Sequence, residues 1–271
     1  MALQLTYRGQ TTVPVEIEGV TPDRVRPLSL AEIERLEIFH GNQKLPLGEF
    51  FGVRGDPSDG RLEFKGNLAG VHWIGAGMTS GEIRVAGPAG RHVGSEMTAG
   101  EIYVEGDASD WVGGEMHGGL IRVRGRAGHL IGAAYRGSRR GMTGGTILVD
   151  GEMGNELGHT MRRGLIAVGG CGDFPGVNLI AGTLLVFGPA GIRPGPGMRR
   201  GTIGLLGADP PPLLPSFRSG GCHRLLFMRV LLRHLIRLGY PVPEPLLDSR
   251  FHLHHGDLVA VGRGEILLPA N

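Results

Sequence analysis

Three groups of residues in this 271-residue chain stand in patterns that chemistry could use. The first is the run Ala133-Ala134-Tyr135-Arg136-Gly137-Ser138-Arg139-Arg140-Gly141. Arg136, Arg139 and Arg140 can fork onto carboxylates or phosphates. Tyr135 beside them gives the aromatic-plus-Arg composition of interface anchors. The run therefore reads as a partner or anionic-carrier contact, with a solvated excursion as the plainer alternative. The second group is His252-x-His254-His255 followed by Asp257. On a strand His252 and His254 share a face and could hold zinc, but no third protein ligand stands nearby. Histidines so placed are more often surface or hydrogen-bonded groups. The third is a stripe of methionines, Met78, Met97, Met116, Met142, Met161 and Met198. Thioethers can hold a soft metal. Strict spacing suits core packing better, where Met fills irregular gaps.

Other chemistries find no residues. With Lys only at 44 and 65, no phosphate loop ending in Gly-Lys-Ser/Thr can form. Gly75-Ala76-Gly77 mimics a dinucleotide fingerprint, but such runs recur through the chain and open no helix. HExxH and GxSxG are absent. Cys171 and Cys222 are isolated, so neither an iron–sulfur nor a zinc site is expected on this chain. No catalytic, cofactor-binding or metal-binding residue is assigned.

What positions these groups is a repeat. The phrase Gly-x-aliphatic-x-aliphatic-x-Gly begins at Gly81, Gly100, Gly119, Gly145, Gly164, Gly182 and Gly201, with a looser copy at Gly60. A nearly constant period of this kind marks a repeat architecture. The aliphatic pairs run Ile83/Val85, Ile102/Val104, Ile121/Val123, Ile147/Val149, Ile166/Val168, Leu184/Val186 and Ile203/Leu205. Alternate strand positions share a face, so these pairs should point into one core. The second Gly of each copy, such as Gly87 or Gly106, suggests a tight corner or positive φ. Val93-Gly94, Val112-Gly113, Ile131-Gly132 and Leu157-Gly158 follow, so each copy reads as strand, corner, strand and then a Met or Leu. The expected fold is all-β dominated: a right-handed parallel β-helix of about seven to eight coils. The single long step falls between Gly132 and Met142, and insertions in repeats map to surface loops. The histidines inside the stack fall at different offsets and suggest no ladder.

Three segments follow from this. Residues 1–54 hold short strands at Leu3–Tyr7 and Val13–Ile17. Ser29 and Glu32 form a capping-box signature ahead of a helix from about Leu30 to Glu37. Residues 55–207 are the repeat. Residues 208–271 begin with prolines, then predict a helix over 223–238 with Arg224, Arg229, Arg233 and Arg237 on roughly one side and a broad apolar face that must be buried, against the stack or another subunit. Two short strands around Gly262-Arg263-Gly264 follow.

The totals set outer limits. A net charge of +2 gives no reason to expect nucleic acid or an anionic membrane. Two isolated cysteines favour a reducing compartment, and no basic segment followed by an apolar run opens the chain, so no signal peptide is expected. A cytoplasmic location is the expectation.

The phrase Gly-x-Ile-x-Val-x-Gly-x-x-Gly-x-x-Val-Gly-x-x-Met resembles the glycine-repeat domain at the C-terminus of the large glutamate synthase subunit. It is more similar to the C-type subunit of formylmethanofuran dehydrogenase. Tyr135-Arg136-Gly137, Arg140-Gly141-Met142-x-Gly144-Gly145, Leu45-x-x-Gly48-x-x-Phe51 and Gly256-Asp257…Gly262-x-Gly264-Glu265-Ile266 carry that likeness over nearly the whole chain. The resemblance implies a scaffold subunit without catalytic residues. Two complexes use such a subunit. One is a tungsten or molybdenum formylmethanofuran dehydrogenase. The other is a formyltransferase/hydrolase complex, which moves a formyl group from tetrahydromethanopterin to a methanofuran-type carrier and releases formate. Because nearly all the cations are Arg, as in a GC-rich bacterium, the second is the expectation. Implied partners are an amidohydrolase-like, a formyltransferase and a dehydrogenase-like subunit, with the carrier and metal ions held on those partners. Binding of an anionic carrier by the 133–141 loop is the remaining alternative.

Overall fold

A computed structural model describes residues 2–270. Among the described residues the chain is mostly β, with thirteen strands in one mixed sheet, four short strands in a second, and few helices. The repeat phrase explains the large sheet. Each aliphatic pair lies in its own strand, as in Glu82–Val85, Glu101–Val104 and Leu120–Val123. Steps of 18, 19 and 26 residues all return to one register. Ile83 faces Ile102, then Ile121, Ile147, Ile166, Leu184 and Ile203, always parallel. Leu62 and Leu3 extend the line at one end and Ile266 at the other. Antiparallel strands finish both edges: Phe51–Arg54 at one, Arg250–Gly256 and Arg218–His223 at the other.

The aliphatic pairs point inward as expected, none more than 1% exposed. The methionine line is fully buried with them, together with Leu179. Its thioethers reach the first glycine of the next copy: a Cβ on Gly145 would lie 2.7 Å from Met116 Cε. The methionines are therefore packing groups in the core.

The glycines divide their work differently from the sequence expectation. Positive φ falls on the first Gly of each phrase, between 89° and 112°, where side chains are strained. The second Gly has no positive φ; it is required by close approach. A Cβ on Gly106 would sit 2.7 Å from the Gly87 carbonyl carbon.

The segment after each corner is not the regular second strand expected. It holds a residue in the left-handed region: Trp73, His92, Trp111, Leu130, Glu156, Phe174 or Arg193, with φ from 56° to 64°. Such a residue breaks extended backbone. Neighbouring copies stay bonded there, for example Gly94 N–H to Ile74 O at 2.8 Å and Gly113 N–H to Val93 O at 2.8 Å. The residue just before the left-handed one adds a second tie. His72 Nδ1 accepts from Arg91 N–H, Asp110 from His129 N–H, His129 Nδ1 from Asn155 N–H, Asn155 from Asp173 N–H and Asp173 from Ile192 N–H, at 2.9–3.0 Å. No histidine ladder forms, but His72 and His129 belong to a ladder of mixed acceptors.

Flanking segments follow the expected order with shifted limits. The Ser29–Glu32 capping box is formed, but the helix is only Leu30–Glu34, because Glu37–His40 pairs as a strand with Gln43–Pro46. The C-terminal helix is Leu226–Arg237. Its Met228, Leu232 and Leu235 pack on Leu148, Leu165, Ala167, Leu185 and Leu206, on the sheet face opposite the main core. The broad apolar face is only partly buried: Leu226 and Ile236 are exposed. No helix among the described residues is long and apolar enough to cross a membrane.

Candidate functional site

The inserted run starts inside the molecule and ends outside it. Ala133 and Ala134 are buried, Tyr135 is half-buried, and Arg136–Arg140 are exposed. Tyr135 turns back over the left-handed positions of earlier copies. There Trp73 stacks on His92 at 4.0 Å and 9°, and His92 on Trp111 at 5.5 Å and 19°. The Tyr135 ring lies 5.5–6.2 Å from all three. Its hydroxyl donates to Ser95 Oγ at 2.6 Å and lies 3.1 Å from His92 Nδ1, while its N–H donates to Glu115. Burial pushes the Tyr135 phenol up to about 12. Tyr135 thus anchors the insertion to the stack, and its hydroxyl is already engaged within the chain.

The same cluster holds His92 neutral. Burial, then His72 and Arg91, bring its imidazole down to about 4, against a weaker opposing pull from Asp110. An unfolded His takes a proton near pH 6.5, so below that pH the unfolded state binds a proton that the folded state refuses. The contribution of His92 to stability should be flat above pH 7 and fall progressively as pH drops from about 6.5 towards 4. Thermal melts across this range should show that slope, and His92→Gln should reduce it.

Arg139 and Arg140 lead elsewhere. They line a groove of about 1150 Å³ together with Arg162, Arg163, Arg199 and Arg200. Ile180 and Ala181 lie along it between the Arg pairs, and Ala260 and Val261 also line it. The repeat builds this site. Arg162-Arg163 and Arg199-Arg200 each follow the ladder Met of their copy and lead into a strand of the parallel sheet, Leu165–Cys171 for the first pair and Arg200–Leu205, which Arg200 itself begins, for the second. The pairs sit two copies apart, about 10 Å at the usual strand spacing. Among the described residues none of the six guanidinium groups is paired with a carboxylate, and no acid lines the groove. Its chemistry is that of an anion cradle, suited to a ligand with several carboxylates or phosphates. Arg136 and Tyr135 do not line it. Sequence reasoning missed Arg162, Arg163, Arg199 and Arg200, although the phrase Arg-Arg-Gly at 139, 162 and 199 carried the signal.

The histidine cluster does not assemble a metal centre. His252 and His254 lie on the strand Arg250–Gly256, where His252 pairs with Cys222 and Leu268. No group of three or more His, Cys, Asp or Glu residues able to hold a metal occurs among the described residues. Asp257 accepts instead from Gly197 N–H and Val259 N–H. Burial pushes the Cys171 thiol up to about 12, despite a Gly191 backbone bond, which disfavours the thiolate form a nucleophile uses.

Fold and groove together define a glycine-repeat β protein with an arginine-lined surface. No protein-family model matches the sequence. Over 93 residues it is 39% identical to the C-type subunit of the tungsten-containing formylmethanofuran dehydrogenase 2 of Methanothermobacter thermautotrophicus, covering 33% of this chain and 34% of that one. Over 91 residues it is 41% identical to the C-type subunit of the molybdenum-containing formylmethanofuran dehydrogenase 1 of the same organism, covering 33% and 23%. The match thus spans about a third or less of these curated relatives. A solved structure matches throughout: a chain of the formyltransferase/hydrolase complex from Methylorubrum extorquens in complex with methylofuran. It is 36% identical with a TM-score of 0.92, and the match covers 99% of this chain and 100% of that one. The chain belongs to the C-type subunit family of formylmethanofuran dehydrogenases, in the form found in the formyltransferase/hydrolase complex.

Proposed function

We propose that this chain is a non-catalytic structural subunit of a cytoplasmic formyltransferase/hydrolase complex. That complex transfers formyl from formyl-tetrahydromethanopterin to a methanofuran-type carrier and releases formate. The observation that carries this reading is the end-to-end likeness, at 36% identity, to a chain of such a complex. In this reading the repeat at 55–207 winds as a right-handed parallel β-helix, with 1–54 and 208–271 packed on it. A rigid ladder of that kind holds other subunits in fixed register. Amidohydrolase-like, formyltransferase and dehydrogenase-like subunits are the partners, and they carry the metal ions and the chemistry. Purifying the native assembly and measuring its metals tests this. Tungsten or molybdenum at stoichiometric level would replace the reading with formylmethanofuran dehydrogenase.

The groove favours a second role alongside the first. Six arginines without a carboxylate partner among the described residues fit an anionic carrier, and Arg139 and Arg140 of the insertion contribute two of them. Arg136 stands outside and contributes long-range charge at most. Arg199→Glu with Arg200→Glu should leave the chain's own fold intact, because both residues are exposed. The KM for the carrier should rise at least tenfold, and the effect should shrink at high salt. An unchanged KM would remove the groove from carrier binding.

A further inference from the structure

We infer that the outward face of the C-terminal helix, Leu226–Arg237, docks another polypeptide of the assembly, one presenting apolar side chains bordered by carboxylates. The inference rests on the subunit reading above.

The apolar part is specific. Leu226 and Val230 lie one turn apart, on the side of the helix away from Met228, Leu232 and Leu235, and Phe227 flanks them. They are 75%, 58% and 45% exposed in that order. Single exposed apolar residues are ordinary on a folded protein; a contiguous group marks a contact.

Charge selects the partner. Between Leu226 and Arg237 the helix has no acidic residue. Arg229 meets Asp248 at 3.5 Å. Arg233 and Arg237 continue the outward stripe past Val230, so the face is apolar in its first half and cationic in its second. A complementary surface needs apolar groups beside Asp or Glu. A second copy of this helix brings no carboxylate in either orientation. A lipid surface favours apolar residues along the full stripe with cations at its flanks, and here two cations lie on the stripe itself.

The surface is also preorganised. Arg122 donates to Leu238 O at 2.8 Å and Gly239 O at 2.9 Å, fixing the end of the helix to the sheet. Beside the first turn a cleft of about 180 Å³ opens between Leu225, Leu226, Leu246 and Leu247, with Arg224, Arg229 and Asp248 also lining it. It offers a seat for one large apolar side chain. A rigid seat lowers the ordering cost of docking.

The test uses the native complex purified through a tag on this chain. Leu226→Asp with Val230→Asp, and separately Arg233→Glu with Arg237→Glu, should leave the chain's own melting unchanged. Each pair should reduce recovery of the contacting subunit at least tenfold. A photo-crosslinker at position 230 should join that subunit at a segment where apolar residues lie within one turn of Asp or Glu. Full assembly by both variant pairs would overturn the inference. So would a crosslink to a second copy, or binding of the wild type to anionic vesicles that Val230→Asp removes. If the wild type recovers no other chain, the subunit reading falls and takes the docking surface with it; if wild type and variants assemble equally, only the docking surface falls.

Discussion

Ile121→Asp should abolish folding of the repeat stack. Ile121 is fully buried, and its register partners Ile102 and Ile147 are fully buried on either side. Its side chain occupies space that Gly94 leaves open: a Cβ on Gly94 would lie 3.1 Å from Ile121 Cγ1. Losing a packed Ile costs about 2–5 kcal/mol by itself. A carboxyl group in its place has no hydrogen-bond partner on the aliphatic ladder and adds a few kcal/mol more, even when it stays protonated. Together these approach the ~5–15 kcal/mol that a whole domain possesses. The expected result is an insoluble chain, or one without a cooperative melt by circular dichroism. Ile121→Val, which keeps the ladder, should cost only about 0.5–1.5 kcal/mol. A soluble Asp variant melting like the wild type would mean that the inward assignment is wrong.

The next residue should fail differently. Arg122 lies on the opposite face of the same strand and is 3% exposed. Its guanidinium donates to Asp150 at 3.0 Å and to the carbonyls of Leu238 and Gly239. Arg122→Ala leaves two carbonyls at the end of the helix and one carboxylate without this donor. Removing one partner from a buried charged network costs roughly 3–5 kcal/mol. Asp150 keeps Arg124 at 3.1 Å, and Tyr240 Oη still donates to Val149 O, which places the effect towards the lower figure. The helix should loosen first. Hydrogen exchange should accelerate across 226–237 while the strands around Ile121 stay protected, and the overall melt should fall by several degrees. Equal acceleration in both regions would show that helix and stack unfold as one unit.

The contrast between these neighbours shows what was legible in the residue order. Ile121 recurs at a fixed offset from a glycine, so its burial could be read from periodicity alone. Arg122 follows no repeated pattern, because its partners are Asp150 of the next strand and the carbonyls of Leu238 and Gly239, more than a hundred positions away, and only the tertiary fold brings them together. The same holds for Tyr135. Its composition suggested an exposed contact, yet stacking over Trp73, His92 and Trp111 draws it inward. Those three share one left-handed position, which no side-chain preference announces. The groove was half visible. The insertion pointed to Arg139 and Arg140, but their neighbours come from copies further along the stack, and recognising them required reading Arg-Arg-Gly as a second phrase within the first. The helix was legible, but its apolar face fits a partner as well as it fits the chain's own core, and only the fold shows that Met228, Leu232 and Leu235 take the stack while Leu226 and Ile236 stay outside.

The central claim is that this chain works as one subunit among others. Native mass spectrometry of the tagged chain, purified from its own host at low salt, tests it most directly. The account predicts a single assembly holding this chain at fixed stoichiometry with distinct formyltransferase and hydrolase polypeptides. A homogeneous species made of this chain alone, with formyl transfer elsewhere in the extract undiminished, would contradict it.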